Sequence, residues 1–152
     1  MLGQLWSKTL HFFFRVSRGL TIGVRAVVRS HDGKFLLVRH TYTPGWHLPG
    51  GGVEPGETMT QALEKELKEE TNLGLVGKPV LHGVFFNHHV SKHDHVLVYL
   101  CEVSGSIPQN SPDREIAELS FFDLNQLPED MDQGTERRLR EIAEGQAPAM
   151  GW

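Results

Sequence analysis

The sequence predicts a single domain that mixes helices and strands, either α+β or layered α/β/α. Three observations carry that expectation. A chain of 152 residues can bury one sizeable core and little more. Its apolar share of 39% and charged share of 22% are those of a globular chain, and they exclude disordered, collagenous and coiled-coil classes. Short runs rich in Val, Ile and Phe are joined by turn residues and alternate with two helical patterns.

Residues 1–19 place Leu2, Leu5, Trp6, Leu10, Phe13 and Phe14 near helical spacing. An amphipathic segment is expected there, docked on the domain or on a second copy, with a peripheral membrane contact as the alternative. Lys8, His11 and Arg15 interrupt its apolar stretch, so stable membrane insertion is not expected. It also lacks the cleavage site of a signal peptide.

The main domain is expected over 20–145. Leu20 to Ser30 reads as a strand, His31-Asp32-Gly33 as a tight turn, and Lys34 to Thr41 as the returning strand of a hairpin. Pro44 to Gly52 is a breaker-dense loop. Glu57 to Thr71 is the best helix, and Asn72 suits a left-handed cap at its end. Val80 to Asn87 and His95 to Val103 are two strands joined by a loop crowded with His88, His89 and His93. A polar loop at the mouth of a site accounts for these histidines better than a zinc centre, which would need a tetrahedral set. Ile116 to Phe122 is a short strand, and Gln133 to Glu144 an amphipathic helix with Leu139 and Ile142 inward. Residues 146–152 are expected as a tail.

Fifteen Lys and Arg stand against nineteen Asp and Glu, a formal net charge of −4. That argues against a nucleic-acid coat. An anionic ligand would need a metal ion or a few placed cations. The single cysteine, Cys101, allows no intramolecular disulfide, which suits a reducing, cytoplasmic setting. It lies in an apolar run and is expected to be a buried structural thiol.

The central helix carries the chemistry. Wound at helical period, it turns Ala62, Leu63 and Leu67 inward, yet Glu66, Glu69 and Glu70 fall on or beside the same arc. The i, i+3 and i, i+4 spacings put all three within one turn. Clustered, partly buried carboxylates repel one another unless a cation neutralises them. Oxygen donors of this kind select Mg²⁺ or Mn²⁺. Directly before the helix runs Gly50-Gly51-Gly52-Val53-Glu54-Pro55-Gly56-Glu57, whose glycines permit close approach of a ligand to the backbone.

The segment Gly51 to Leu73, GGVEPGETMTQALEKELKEETNL, resembles the Nudix box. That motif is a Gly, five residues, Glu, seven residues, Arg-Glu, an aliphatic residue, any residue, Glu-Glu, any residue, Gly and an aliphatic residue. Gly51, Glu57, Glu66, Leu67, Glu69, Glu70 and Leu73 fall on it. Two positions depart: Lys65 replaces the Arg, and Asn72 the second Gly. Asn tolerates the left-handed conformation. Lys keeps the charge and loses the planar fork, so slower turnover is expected before loss of activity.

The resemblance implies a single-domain Nudix-type α/β/α sandwich with a mixed sheet and a Mg²⁺- or Mn²⁺-dependent hydrolase. Its substrate would be a small nucleoside diphosphate derivative: a nucleotide sugar, an ADP-ribose-like compound or a (d)NTP. The alternative is a Nudix-fold nucleotide-binding module without turnover. By match to the box, Glu66, Glu69 and Glu70, with Lys65, are the catalytic set. Metal ligands would be Glu66, Glu70, Glu69, the Gly50 carbonyl and Glu57 through water. Glu115 or Glu118 near the last strand, or one of the box carboxylates, would deprotonate the attacking water. Arg39, Trp46 and His89 are substrate-binding candidates, with core packing favoured for Trp46. Downstream markers that some Nudix subfamilies carry for ADP-ribose or dinucleoside polyphosphates are missing over Asn87-His88-His89-Val90. Homodimerisation is expected from family precedent, with the N-terminal segment as its surface.

Overall fold

The computed structural model describes residues 19–109 and 114–152, so the amphipathic segment expected over 1–19 lies outside it apart from Gly19. Among the described residues seven strands and two helices follow in the order β1 (Thr21–Val28), β2 (Phe35–His40), β3 (Trp46–His47), β4 (Gly50–Gly52), α1 (Met59–Thr71), β5 (Gly74–Phe86), β6 (Asp94–Ser104), β7 (Ile116–Phe122) and α2 (Gln133–Glu144). The strands form a mixed sheet β4-β1-β6-β5 and an antiparallel sheet β3-β2-β7.

The two helices cover opposite faces of this strand layer, and alternation along the strands shows why. Val24, Ala26 and Val28 of β1 and Leu36 of β2 pack against Ala62, Leu63 and Leu67 of α1. Their neighbours Val27, Phe35 and Leu37 pack with Leu139 of α2, Phe85 and Val98. A strand buried on both faces must be apolar at nearly every position, and FLLV of β2 is.

The hairpin expected between the first two strands does not form. The turn itself is there: Ser30 N–H donates to the Lys34 carbonyl at 2.8 Å, and Gly33 takes φ +85°. Beyond one bridge between Arg29 and Phe35 the strands separate into different sheets. β1 instead runs parallel to β6 from Thr21 opposite Asp94 to Val28 opposite Cys101. β2 pairs with β7. β2 is apolar on both faces and β1 buries Val24, Ala26 and Val28 on one face and Val27 on the other, and a two-stranded ribbon cannot cover them all.

Two further expectations change. The loop over 44–52 contains β3 and β4, and β5 begins at Gly74, six positions before Val80. Residues 146–152 are no free tail. They run back along β5, where Phe86 N–H donates to the Met150 carbonyl at 2.8 Å and Trp152 N–H to the Phe86 carbonyl at 3.1 Å.

α1 begins at Met59 rather than Glu57. Its N-cap is Thr58, whose hydroxyl accepts from Gln61 N–H while the Gln61 side chain accepts from Thr58 N–H. It ends at Asn72, which is left-handed at φ 60° and donates its N–H to the Lys68 carbonyl at 3.1 Å. Cys101 is buried, and burial pushes its thiol up to about 12. No helix among the described residues is long and apolar enough to cross a membrane.

Candidate active site

α1 and β4 meet edge to side, and their contact creates the site. β4 is three glycines paired antiparallel with the centre of β1, Gly51 opposite Val24 and Gly50 opposite Arg25. Two of the three leave no room for a side chain while the helix glutamates stand as they do. A Cβ on Gly50, whose φ is +151°, would lie 2.0 Å from the Val24 carbonyl oxygen, and one on Gly51 would lie 2.5 Å from the Glu66 carboxylate. The strand thus lets the helix bring its carboxylates against bare backbone.

Glu70 is the most buried of the three glutamates, at 6% exposure. Its two oxygens are held separately: Oε1 accepts Gly50 N–H at 3.0 Å, and Oε2 lies 2.9 Å from His40 Nε2. Glu66 is half-buried. Burial above all, and then the charges of Glu70 and Glu69, raise its pKa to about 7. Glu69 is exposed. All three line one cavity of about 280 Å³ together with Gly50, Gly51 and Glu115.

The other two members of the expected set lie elsewhere. Lys65 Nζ reaches both oxygens of Glu57, at 2.9 and 3.1 Å, and Glu57 also accepts Glu54 N–H at 2.8 Å. The Glu54 N–H and the Lys65 ammonium hold the Glu57 carboxylate below the usual range. Neither residue lines the glutamate cavity. The pair clamps the loop onto the helix, one turn before the site. The physical reason is local satisfaction: a carboxylate with an ammonium and a backbone N–H in reach stays with them.

Similar facts sort the remaining candidates. Glu118 is ion-paired with Arg39 across β2 and β7, and neither lines the glutamate cavity. Glu115 does line it. Trp46 is a core residue, 7% exposed and edge-on to Phe122 at 4.8 Å, so it has no face for a ligand. His89 borders a second cleft of about 590 Å³ that shares His40, Tyr42, Gly50 and Gly51 with the glutamate cavity. Arg25, Arg137 and Trp152 also border this cleft.

His40, Arg25 and Trp152 border the site without being expected there from the sequence. Arg25 had a signal: it is a lone cation in the middle of an apolar strand, TIGVRAVV. His40 and Trp152 had none, because only tertiary folding brings them here.

The donor set suits a hard divalent cation. Among the residues lining the small cavity there is no Lys or Arg, and four are glutamates. Among the described residues no three carboxylate, imidazole or thiol groups converge into a complete cage. A complete cage is not required, since Mg²⁺ is held through one or two carboxylates, with water and substrate phosphate oxygens supplying the rest.

Comparison with known proteins agrees. The family model described as the NUDIX domain matches residues 19–142. An ADP-ribose pyrophosphatase of Methanocaldococcus jannaschii is 39% identical over 102 residues, which span 64% of this chain and 59% of the relative. A MutT-like protein of Streptomyces ambofaciens is 30% identical over 84% of this chain and 80% of its own length. Among solved structures, a MutT NUDIX hydrolase from Burkholderia pseudomallei superposes with a TM-score of 0.68 at 26% identity, covering 80% of this chain and 96% of that one.

Proposed function

The chain belongs to the NUDIX domain family, and on that premise we propose that it is a Mg²⁺- or Mn²⁺-dependent hydrolase of the pyrophosphate bond in a small nucleoside diphosphate derivative. One observation carries the reading: Glu66, Glu69 and Glu70 of α1 line a single cavity against the bare backbone of Gly50 and Gly51. The named activities of relatives, among them ADP-ribose pyrophosphatase and RNA pyrophosphohydrolase, support the reaction class.

When bound, a divalent cation supplies charge neutralisation between these carboxylates and the pyrophosphate. Glu66 and Glu70 are the side chains that would hold it, with Glu69 at the rim and the Gly50 carbonyl beside them. Gly50 N–H and His40 fix the Glu70 carboxylate, so its donor direction is set before substrate arrives. Arg25 borders the larger cleft and offers a cation to a phosphate bound there. Phosphoryl transfer needs positioning and charge stabilisation more than covalent help, and these residues supply both. Glu115, in the same cavity, is our candidate for accepting the proton of the attacking water. Lys65 and Glu57 act through the loop, by holding Gly50–Gly52 close to the helix.

The test is a hydrolysis panel of (d)NTPs, ADP-ribose, nucleotide sugars and dinucleoside polyphosphates, with and without Mg²⁺ or Mn²⁺. Cleavage of one class is expected, lost in Glu70→Gln and after EDTA treatment. Equal turnover in Glu70→Gln would remove the assignment.

A further inference from the structure

We propose that Trp152, held in place by residues 146–151, is one wall of the larger cleft and a positioning residue for the nucleobase. The proposal rests on the nucleotide reading above and deepens it.

The strap is tied down at every stage. Gly145 caps α2 in the left-handed conformation, and Gln146 N–H donates to the Glu141 carbonyl at 2.8 Å. Ala149 N–H donates to the Glu141 carboxylate at 3.1 Å, and Arg138, 1% exposed, donates to the Gly151 carbonyl at 2.8 Å. Gly151 bridges to Phe86 at the end of β5.

Two glycines leave room for it. A Cβ on Gly83 would lie 2.7 Å from Pro148, and a Cβ on Gly134 would lie 2.0 Å from the indole nitrogen of Trp152. Gly134 is a helix residue that takes no special backbone conformation. Alanine is the better helix former, so the space for the indole is what glycine provides. The indole is then fixed from three sides: its N–H donates to Asp132 at 3.2 Å, Phe85 meets it edge-on at 6.0 Å, and the Arg138 guanidinium lies 5.8 Å from its ring.

Trp152 borders the cleft. The side chain's one polar atom is already satisfied by Asp132, so the indole offers a ring surface rather than a free donor. A flat heteroaromatic ring is the ligand that such a surface takes. Gln133 on the same wall supplies an amide for a base edge, while Gly50 and Gly51 join this cleft to the glutamates. A cleft of about 590 Å³ is of a size to hold a nucleotide. The pyrophosphate thus lies toward Glu66 and Glu70, and the base toward Trp152.

The test measures binding by equilibrium dialysis in Mg²⁺. The ligands are the α,β-methylene diphosphates of adenosine, guanosine and uridine, and base-free imidodiphosphate. Full-length wild type is compared with Trp152→Ala, Trp152→Phe and Gly134→Ala, each checked for folding by circular dichroism. Trp152→Ala and Gly134→Ala are expected to weaken the best nucleoside ligand about 10-fold, and Trp152→Phe less than about 3-fold, the planar ring being kept. Imidodiphosphate binding stays unchanged. Equal weakening of both ligand types, no weakening at all, or no nucleotide binding would overturn the proposal. Should Trp152→Ala not fold, nucleotide quenching of tryptophan emission in wild type and its loss in Trp152→Phe is the same test, and unchanged quenching overturns it. Trp152-dependent binding without hydrolysis of any substrate would sink the reaction and leave this inference standing. Hydrolysis with unaltered nucleotide affinity in the variants would do the reverse.

Discussion

Gly51 and Glu66 show how narrow the tolerance at the site is. Gly51 has no special backbone conformation, so alanine is compatible with the strand. Its methyl would nevertheless occupy the place of the Glu66 carboxylate. That carboxylate ends a flexible side chain and can swing away at small cost to the fold. Gly51→Ala should therefore lower kcat/KM by about 10- to 100-fold, a misplacement effect, with Tm shifted by only a few degrees. Steady-state kinetics beside a thermal melt checks this, and a collapse of Tm would show that the glycine is structural. Lys65 makes a second prediction. It reaches both oxygens of one carboxylate, that of Glu57. Lys65→Met leaves Glu57 without its ammonium partner, and kcat should fall about 10-fold with the loop loosened. Lys65→Arg should keep kcat at or above the wild-type value, because a guanidinium supplies the same charge through a planar fork.

The helix that carries the glutamates is held at both ends by elements of its own sequence. Thr58 and Gln61 satisfy donors at its start, and Asn72 turns the chain out at its end with φ 60°. A side chain with a Cβ is strained in this conformation, Asn less than most and Gly not at all. Asn72→Ala should cost about 1 kcal/mol, and Asn72→Gly should be neutral or stabilising. Urea titration of the two variants measures the difference directly. If Ala equals Gly, the cap contributes nothing. The helix was legible in the sequence because capping and amphipathic period are local. The first two strands misled for the same reason. Asp32-Gly33 makes the turn that its residues demand, but turn chemistry does not say which neighbours the flanking strands choose. That choice follows from the apolar residues on both faces of β1 and β2, which bury more surface inside two sheets than in one hairpin.

At the scale of the whole molecule, one buried ionic network ties α2, β5 and residues 146–152 together. Glu141 accepts Arg138 at 2.8 and 2.9 Å and Ala149 N–H at 3.1 Å, and its Oε1 lies 3.0 Å from His82. Burial alone would raise the Glu141 pKa, but the hydrogen bonds of His82, Arg138 and Ala149 outweigh it and the net shift is downward. A lowered carboxylate stabilises the folded state above its ordinary value of 4.5 and ceases to do so as pH falls through the lower folded value. Wild type should thus lose stability on acidification below about pH 4.5. Glu141→Gln should lose less over the same window, from a starting point about 3–5 kcal/mol lower because Arg138 is left buried without its partner. Thermal melts from pH 7 to pH 3 test both halves. Parallel slopes would show that Glu141 is not the titrating group.

The mixed helix-and-strand class, the carboxylate helix with its Asn72 cap and the glycine run before it are all legible in the chain. Each depends on residues close in the chain, where period, capping and backbone freedom act locally. What surrounds the glutamates follows from tertiary packing. His40 reaches Glu70 across 30 positions, and Trp152 reaches Asp132 across 20. Lys65 and Glu57, eight positions apart, satisfy each other away from the cavity. Arg39 and Glu118, 79 positions apart, do likewise across β2 and β7. Charges and hydrogen-bond donors are satisfied by whatever the packed layers bring within reach. No spacing in the sequence encodes that, because it follows from burying both faces of the strands at once.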